Sequence, residues 1–421
     1  MTNDILDARE NRILEIQSLL DTNEILISIK ANIPGDHKNI SEAHLLVRLF
    51  TLLIQKHYEL KTVQHKNSAD GPYSLLVVNS TNKDEIKQDS ILLEDTHPLG
   101  RFIDLDVYYL LPHSVSRASL GLPKRKCYLC GEDAYICSRT QKHSILSLIS
   151  FIQFGIKSFL RYQIEYHVHD AIMKELDLEN KFGLVSKNSN GSHPDMNYQL
   201  MKDAENAILP YMVDLFILGY EAQELNALLA NARSIGISAE KQMLQATHGV
   251  NAYKGLIYIL GLALLSFGYA LNHQQEFIEI FENIKKMTKS VYEEFKQEPL
   301  TAGLSAYKEH KITGIRGEAY RGMPSVQSAL ELLVDDNEST LRFVLKHLIL
   351  VSEDTVFLKR AKSIENYRQI KEILKKTNIS DAKQLEAFNQ LAIEENLSFG
   401  GSADLLIVTI FLKSIKAEYF K

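Results

Sequence analysis

The stretch Gly255-Leu-Ile-Tyr-Ile-Leu-Gly-Leu-Ala-Leu-Leu-Ser-Phe-Gly-Tyr-Ala-Leu271 is apolar around the whole helical circle. A helix with no polar face is either buried on all sides or set in a bilayer. This run falls short of the roughly 20 residues that a membrane span needs. It also contains glycine, a serine and two tyrosines. The sequence therefore predicts the central helix of a helical domain and no membrane partner. Around it, apolar residues recur at helical spacing through 201–219, 222–233, 239–246, 275–295, 326–334, 340–351 and 382–391. A last helix is expected near 404–419. Strand signals nearly vanish here, so the region reads as all-α.

Towards the N-terminus the texture changes. Tyr73-Ser-Leu-Leu-Val-Val78 and Ile103-Asp-Leu-Asp-Val-Tyr-Tyr109 are strand-like, and they alternate with helical patterns such as 42–60. The predicted fold class is thus an α/β N-terminal domain followed by an all-α C-terminal domain. The join is placed at 153, giving domains 1–153 and 154–421. No Gly/Ser/Pro linker marks it, because 143–171 itself reads as helical and apolar.

A chain of 421 residues with 45% hydrophobic and 24% charged residues has the composition of a globular protein of two or three domains. Its formal net charge of -6 gives a nucleic-acid partner no electrostatic support, but leaves room for local phosphate sites. The start Met1-Thr-Asn-Asp-Ile-Leu-Asp7 has neither the basic residues nor the apolar run of a signal peptide, so a cytoplasmic location is expected.

Four glycine clusters interrupt the helical region. They are Gly191-Ser-His-Pro-Asp-Met196 after Gly183, His248-Gly-Val-Asn-Ala-Tyr-Lys-Gly255, Gly314-Ile-Arg-Gly-Glu318 and Gly400-Gly-Ser-Ala-Asp404. Glycine costs a helix about 1 kcal/mol relative to alanine, and it lets a backbone approach a ligand. One shared nucleotide or polyphosphate site would explain all four. Ser192, His193 and Asp195 precede a helix, where N–H groups attract anions; Asp195 could take Mg2+, and plain N-capping is the alternative. Asn251 and Lys254 stand at i and i+3, which puts them on one face at the start of the apolar helix. Arg316 offers a planar fork for phosphate, and Glu318 a carboxylate. In the last cluster Gly400 and Gly401 would open a loop and Ser402 would cap the final helix. Asp404 would then sit in its first turn, available to a metal.

The N-terminal region has its own chemistry. On a strand, Asp104 and Asp106 point to one face and suit Mg2+, with Arg101 just before them as a phosphate cation; a solvated strand face is the alternative. Cys127, Cys130, Cys137 and His143 read C-x2-C-x6-C-x5-H, which suits a Cys3His zinc site or a reduced turn.

Taken together, the four C-terminal clusters over 183–405 resemble triphosphoribosyl-dephospho-CoA synthase, with departures from that family's pattern at Ala252-Tyr253 and Phe399. The resemblance implies that ATP and 3′-dephospho-CoA react with release of adenine. Asp195 and Glu318 would then be catalytic, while Ser192, His193, Asn251, Lys254, Arg316 and the Gly400-Gly401-Ser402 turn would bind ATP. The run Gly100-Arg-Phe-Ile-Asp-Leu-Asp-Val107, with the cysteine turn and Cys137-Ser-Arg-Thr-Gln-Lys-His143, resembles apo-citrate lyase phosphoribosyl-dephospho-CoA transferase. That family modifies a serine of the citrate lyase acyl carrier (gamma) subunit, with Asp104 and Asp106 as the implied catalytic pair. The two resemblances imply a fusion in which one reaction feeds the next. A precursor synthase serving malonate decarboxylase and a non-catalytic carrier-binding adaptor are the alternatives.

Overall fold

The computed structural model describes residues 3–20, 24–110, 113–289 and 310–420. They form two compact units, one running to Tyr162 and the other built from Gln163–Leu271 and Gln275–Phe420. The division falls inside a single helix, α5 (Ile145–Leu176). No flexible linker is needed when one helix serves both units, which is why the sequence shows none.

The first unit contains α1 (Asn3–Leu19), β1 (Ile25–Ala31), α2 (Ser41–His57), β2 (Leu60–Ser68), β3 (Gly71–Val78), α3 (Lys83–Thr96), β4 (Ile103–Leu110), β5 (His113–Val115) and α4 (Ala134–Arg139). Its five strands pair antiparallel throughout, in the order β2-β3-β1-β4-β5. The expected strands 73–78 and 103–109 lie within β3 and β4. Every residue of β3 is buried, because both faces of the sheet are covered. On one face Ile16 of α1 packs with Leu26, Tyr73, Leu75 and Val77. On the other, Thr51 of α2 donates to Ser74 at 2.9 Å, and Leu46 and Phe50 are buried. Each such buried aliphatic or aromatic side chain contributes about 1.5–3 kcal/mol. The β1–β4 register sets Lys30 opposite Asp104 and Ser28 opposite Asp106. Both aspartates therefore share the α1-side face, as period-two alternation predicts.

Among the described residues the second unit is helical: α6 (Tyr198–Glu221), α7 (Leu228–Ala246), α8 (Lys254–Asn272), α9 (Glu279–Met287), α10 (Gly314–Tyr320), α11 (Pro324–Leu332), α12 (Glu338–Val351), α13 (Thr355–Ala361), α14 (Ile364–Lys376), α15 (Ala382–Glu394) and α16 (Gly400–Tyr419). The apolar run is α8. At 19 residues it is long enough to span a membrane, as is α5, so length alone does not exclude a span. Burial decides for α8, because Leu256, Leu260, Leu264 and Phe267 are wholly enclosed within the unit. Its serine is satisfied there, Ser266 donating to the Ile280 carbonyl at 2.7 Å. The glycines of α8 serve close packing. A Cβ on Gly268 would lie 2.3 Å from the Phe216 carbonyl oxygen, and one on Gly219 of α6 would lie 2.1 Å from that of Leu265. Two backbones in contact leave no room for a side chain.

Some boundaries differ from expectation. The separate helices 222–233 and 239–246 are replaced by continuous α7; Gly236 sits where a Cβ would meet nothing within 4 Å, so no packing constraint breaks the helix there. The helix expected over 275–295 is α9, and 290–295 lies outside the described residues. Side-chain caps mark many starts: Asn197 accepts from the Leu200 N–H, Asn337 from Thr340 and Ser363 from Asn366.

Candidate functional site

In the helical unit, three of the four glycine clusters come together. A small cavity of about 100 Å³ is lined by Gly255, Gly314, Glu318, Glu353, Asp354 and Asp404. A larger one of about 550 Å³, whose walls include Arg233, Glu240, Lys254, Tyr258 and Arg316, shares Gly255 and Ile315 with it. Carboxylates thus line one compartment, and the cations Lys254 and Arg316 line the next.

Each carboxylate is held differently. Glu318 is 3% exposed and accepts from the Ser325 N–H at 2.7 Å and the Ser325 hydroxyl at 3.0 Å. Burial pushes its carboxyl above the usual range, against the pull of those donors. Glu353 accepts from the N–H and hydroxyl of Thr313, both at 2.6 Å. Asp404 lies directly against Gly255, where a Cβ would come 2.2 Å from its Oδ2. Burial, followed by the nearby Asp354 and Glu175 carboxylates, raises it well above an ordinary aspartate. Two neighbours extend this acidic region. Glu175 is paired with the buried Lys181 at 2.7 Å. The buried hydroxyl of Tyr253 has no hydrogen-bond partner, and its pKa is raised by burial and by Glu175, Glu205 and Asp404.

Asp354 organises the small cavity, and sequence reasoning missed it. One oxygen accepts from the N–H groups of Val356 and Phe357 at 2.9 and 3.0 Å, capping α13. The other accepts from the N–H and hydroxyl of Ser402 at 2.9 and 3.1 Å. Ser352-Glu-Asp-Thr355 looks like any helix start; its second partner lies 48 residues away. This also corrects the expectation that Gly400-Gly401 open a loop capped by Ser402. α16 already begins at Gly400, its cap residue Phe399 supplies no side-chain bond, and Ser402 is buried with its N–H taken by Asp354. Gly401 is small because Asp354 occupies the adjacent space, 2.9 Å from where a Cβ would be.

Asn251 precedes α8 and does not share a face with Lys254: it is the cap, accepting from the Lys254 N–H at 3.2 Å. Lys254 is exposed and paired with Glu240. The fourth cluster stays apart, with Ser192, His193 and Asp195 lining neither cavity. Ser192 is buried against the carbonyls of Gly183 and Leu397, and the His193 Nδ1 lies 3.5 Å from Arg360. Burial, then Arg360, lowers the His193 pKa. Asp195 is exposed.

In the sheet unit a cavity of about 680 Å³ is lined by Lys38, Arg101, Arg125, Lys126, Cys137 and His143 among others. Asp104 pairs with Arg125, which also holds the buried Glu94, while Asp106 is exposed. Arg101 donates to the Lys126 carbonyl. Cys127, Cys130, Cys137 and His143 bring their ligand atoms within 4.8 Å of one another, so they could hold a metal ion. Cys127 and Cys130 flank a turn closed by the Gly131 N–H on the Cys127 carbonyl at 3.0 Å, and Cys137 lies in α4. The His143 Nε2 is buried with no hydrogen-bond partner, as an unused ligand atom would be. Burial and the neighbouring thiols push Cys137 up to about 12, a penalty that a cation would remove.

Residues 1–159 match the family model of apo-citrate lyase phosphoribosyl-dephospho-CoA transferase (CitX). Residues 161–420 match that of ATP:dephospho-CoA triphosphoribosyl transferase (CitG). The Protein CitXG of Leuconostoc mesenteroides is 30% identical over 97% of this chain and 96% of its own length. This chain belongs to the CitXG family. The Haemophilus influenzae Protein CitXG is likewise 30% identical, over 98% and 96%. A Haemophilus ducreyi protein named 2-(5″-triphosphoribosyl)-3′-dephosphocoenzyme-A synthase is 32% identical over 68% of this chain and 99% of its own length. The chain is thus a bifunctional transferase of citrate lyase prosthetic-group synthesis. The acidic cavity lies in the CitG region and the cysteine cluster in the CitX region.

Proposed function

We propose that the helical unit joins ATP to 3′-dephospho-CoA, releasing adenine and forming 2′-(5″-triphosphoribosyl)-3′-dephospho-CoA. The observation that carries this reading is the junction of a buried carboxylate cavity with a cation-lined one at Gly255 and Ile315. In the reaction the dephospho-CoA ribose 2′-hydroxyl attacks the anomeric carbon of ATP, and adenine leaves with the electrons of its glycosidic bond. Positive charge develops on the ribose, and buried carboxylates stabilise it. Glu318, whose raised pKa suits proton transfer nearer neutrality, takes the hydroxyl proton. Lys254 and Arg316 hold the triphosphate in the larger cavity. Asp404 would supply a carboxylate oxygen to Mg2+ bound with the triphosphate. Asp195 has no part in this reading.

The sheet unit then transfers the phosphoribosyl-dephospho-CoA group to a serine of the citrate lyase acyl carrier subunit, releasing pyrophosphate. Asp104 and Asp106, aligned on one face, offer the carboxylate oxygens that Mg2+ takes; the ion would neutralise phosphate charge when bound. Arg101 and Arg125 face the phosphates. Zinc in the Cys3His group would fix the cavity wall. The three free thiols suit a cytoplasmic, reducing location. Incubation with ATP and dephospho-CoA tests the first reaction: free adenine is expected on chromatography. ATP left intact by folded protein would refute that assignment. Addition of apo carrier should then give a mass increase on one serine.

A further inference from the structure

Asp70 lies in the tight turn between β2 and β3, wholly buried, and four cations converge on it. Arg9 reaches both of its oxygens, at 3.2 and 3.3 Å, and Arg12 donates at 3.1 Å. Lys30 donates to it as well, and the Lys38 ammonium stands 3.7 Å away. The side chains of Arg12, Lys30 and Lys38 are only 16%, 15% and 12% exposed. Four cations lie within 4 Å of this one carboxylate and outnumber it.

A structural ion pair needs one cation. Three more, drawn largely out of water, carry a desolvation cost that Asp70 alone does not offset. A polyanion bound among them would. The placement points the same way. Lys30 faces Asp104 across the β1–β4 register, so the cluster shares a sheet face with both aspartates. Lys38, which also donates to the Ile33 carbonyl at 3.1 Å, lines the 680 Å³ cavity together with Arg101 and Arg125. Besides Asp70, Asp36 and Asp104 lie in electrostatic reach of Lys38. Lys38 thus links the Asp70 turn to the cavity, where the wall residue Arg125 pairs with Asp104.

We propose that Arg9, Arg12, Lys30 and Lys38, gathered by Asp70, form the seat of the pyrophosphate leaving group. This rests on the carrier-modification reading above. In that step the serine Oγ bonds to the innermost phosphorus of the triphosphate. The bond from that phosphorus to the oxygen bridging it to the middle phosphate breaks. Pyrophosphate departs with the electron pair, and the serine proton passes to a carboxylate or water. Negative charge grows on the departing group, where preset cations stabilise it. Asp70 keeps four like charges together before the substrate arrives.

The probe is inorganic pyrophosphate, titrated calorimetrically into the full chain and used as product inhibitor of carrier labelling from preformed intermediate. Arg9→Gln, the most exposed member, and Lys38→Gln, at the cavity, should each weaken pyrophosphate binding and inhibition tenfold or more. Both should slow labelling and leave adenine release at the wild-type rate, and Lys38→Arg should restore pyrophosphate affinity. Folded variants that bind pyrophosphate as wild type does would overturn the seat. So would wild-type protein with no pyrophosphate affinity. If pyrophosphate binding depends on these residues but no carrier is labelled, the seat stands and the assigned reaction falls. If carrier is labelled and both variants keep full pyrophosphate affinity, the reaction stands and the seat falls.

Discussion

The two units concentrate charge in opposite ways. In the sheet unit, cations crowd around a single carboxylate: Arg9, Arg12, Lys30 and Lys38 surround Asp70. In the helical unit, carboxylates crowd one another: Glu318, Glu353, Asp354 and Asp404 line one cavity, and the flanking cations sit in the next. The pKa values follow. Asp70 is held down at about 2, Lys30 and Arg9 overcoming the burial that would raise it, whereas burial lifts Glu318 and Asp404. Excess positive charge suits a departing phosphate, and excess negative charge suits a ribose that becomes cationic. One chain thus carries two electrostatic environments, each matched to one of the proposed reactions.

The difference can be broken at several points. Zinc removal should have the largest effect, because metal binding to such a site is folding free energy. Protein prepared without chelator is expected to carry about one zinc per chain. Chelation should then lower the melting transition of the sheet unit and leave adenine release intact. Metal analysis finding no zinc would leave Cys127, Cys130, Cys137 and His143 as a reduced turn.

On the helical side, Glu318→Gln should lower adenine release by roughly 10²–10⁴-fold, the range for a general acid–base group. In wild type, the acid limb of the pH–rate profile should lie above the ordinary carboxylate value of about 4.3, since burial raises Glu318. The variant should lose that limb.

Asp70→Asn should destabilise the sheet unit by about 3–5 kcal/mol, because it strands buried cations. The pH dependence has a definite sign. Asp70 is depressed on folding, so its stabilisation is complete above an unfolded value of about 3.9 and is lost as pH falls towards 2. Acid unfolding of wild type should therefore steepen between pH 4 and 2, and the variant should lack that phase.

A smaller effect is expected at the phosphate cations of the helical unit. Lys254→Ala and Arg316→Ala should each reduce ATP use by about 10-fold, as loss of a charge-assisted hydrogen bond does. Lys254 is exposed, so its replacement should leave the fold intact. Equal effects of these variants on carrier labelling from preformed intermediate would blur the two environments.

Period and composition revealed the elements that depend on local sequence. The Ile103-Asp-Leu-Asp-Val107 alternation gave β4 and its shared aspartate face, and the all-round apolar run gave α8. The three cysteines and His143, close in sequence, also meet in space. Residues whose partners are remote stayed hidden. Asp70 lies in a turn that reads as polar punctuation, yet its cations come from α1, β1 and the following loop. Asp354 reads as a helix cap and also fixes Ser402. Glycine was ambiguous: Gly255 makes room for Asp404, while Gly219 and Gly268 let two helices touch. Spacing does not distinguish these uses.

The assignment of the two chemistries to the two units is tested most directly by Asp104→Asn combined with Asp106→Asn in the full chain. Carrier mass spectrometry and adenine chromatography are run on the same sample. No carrier labelling, undiminished adenine release and accumulation of the triphosphoribosyl intermediate are expected. Loss of adenine release in a double variant that remains folded would contradict that assignment.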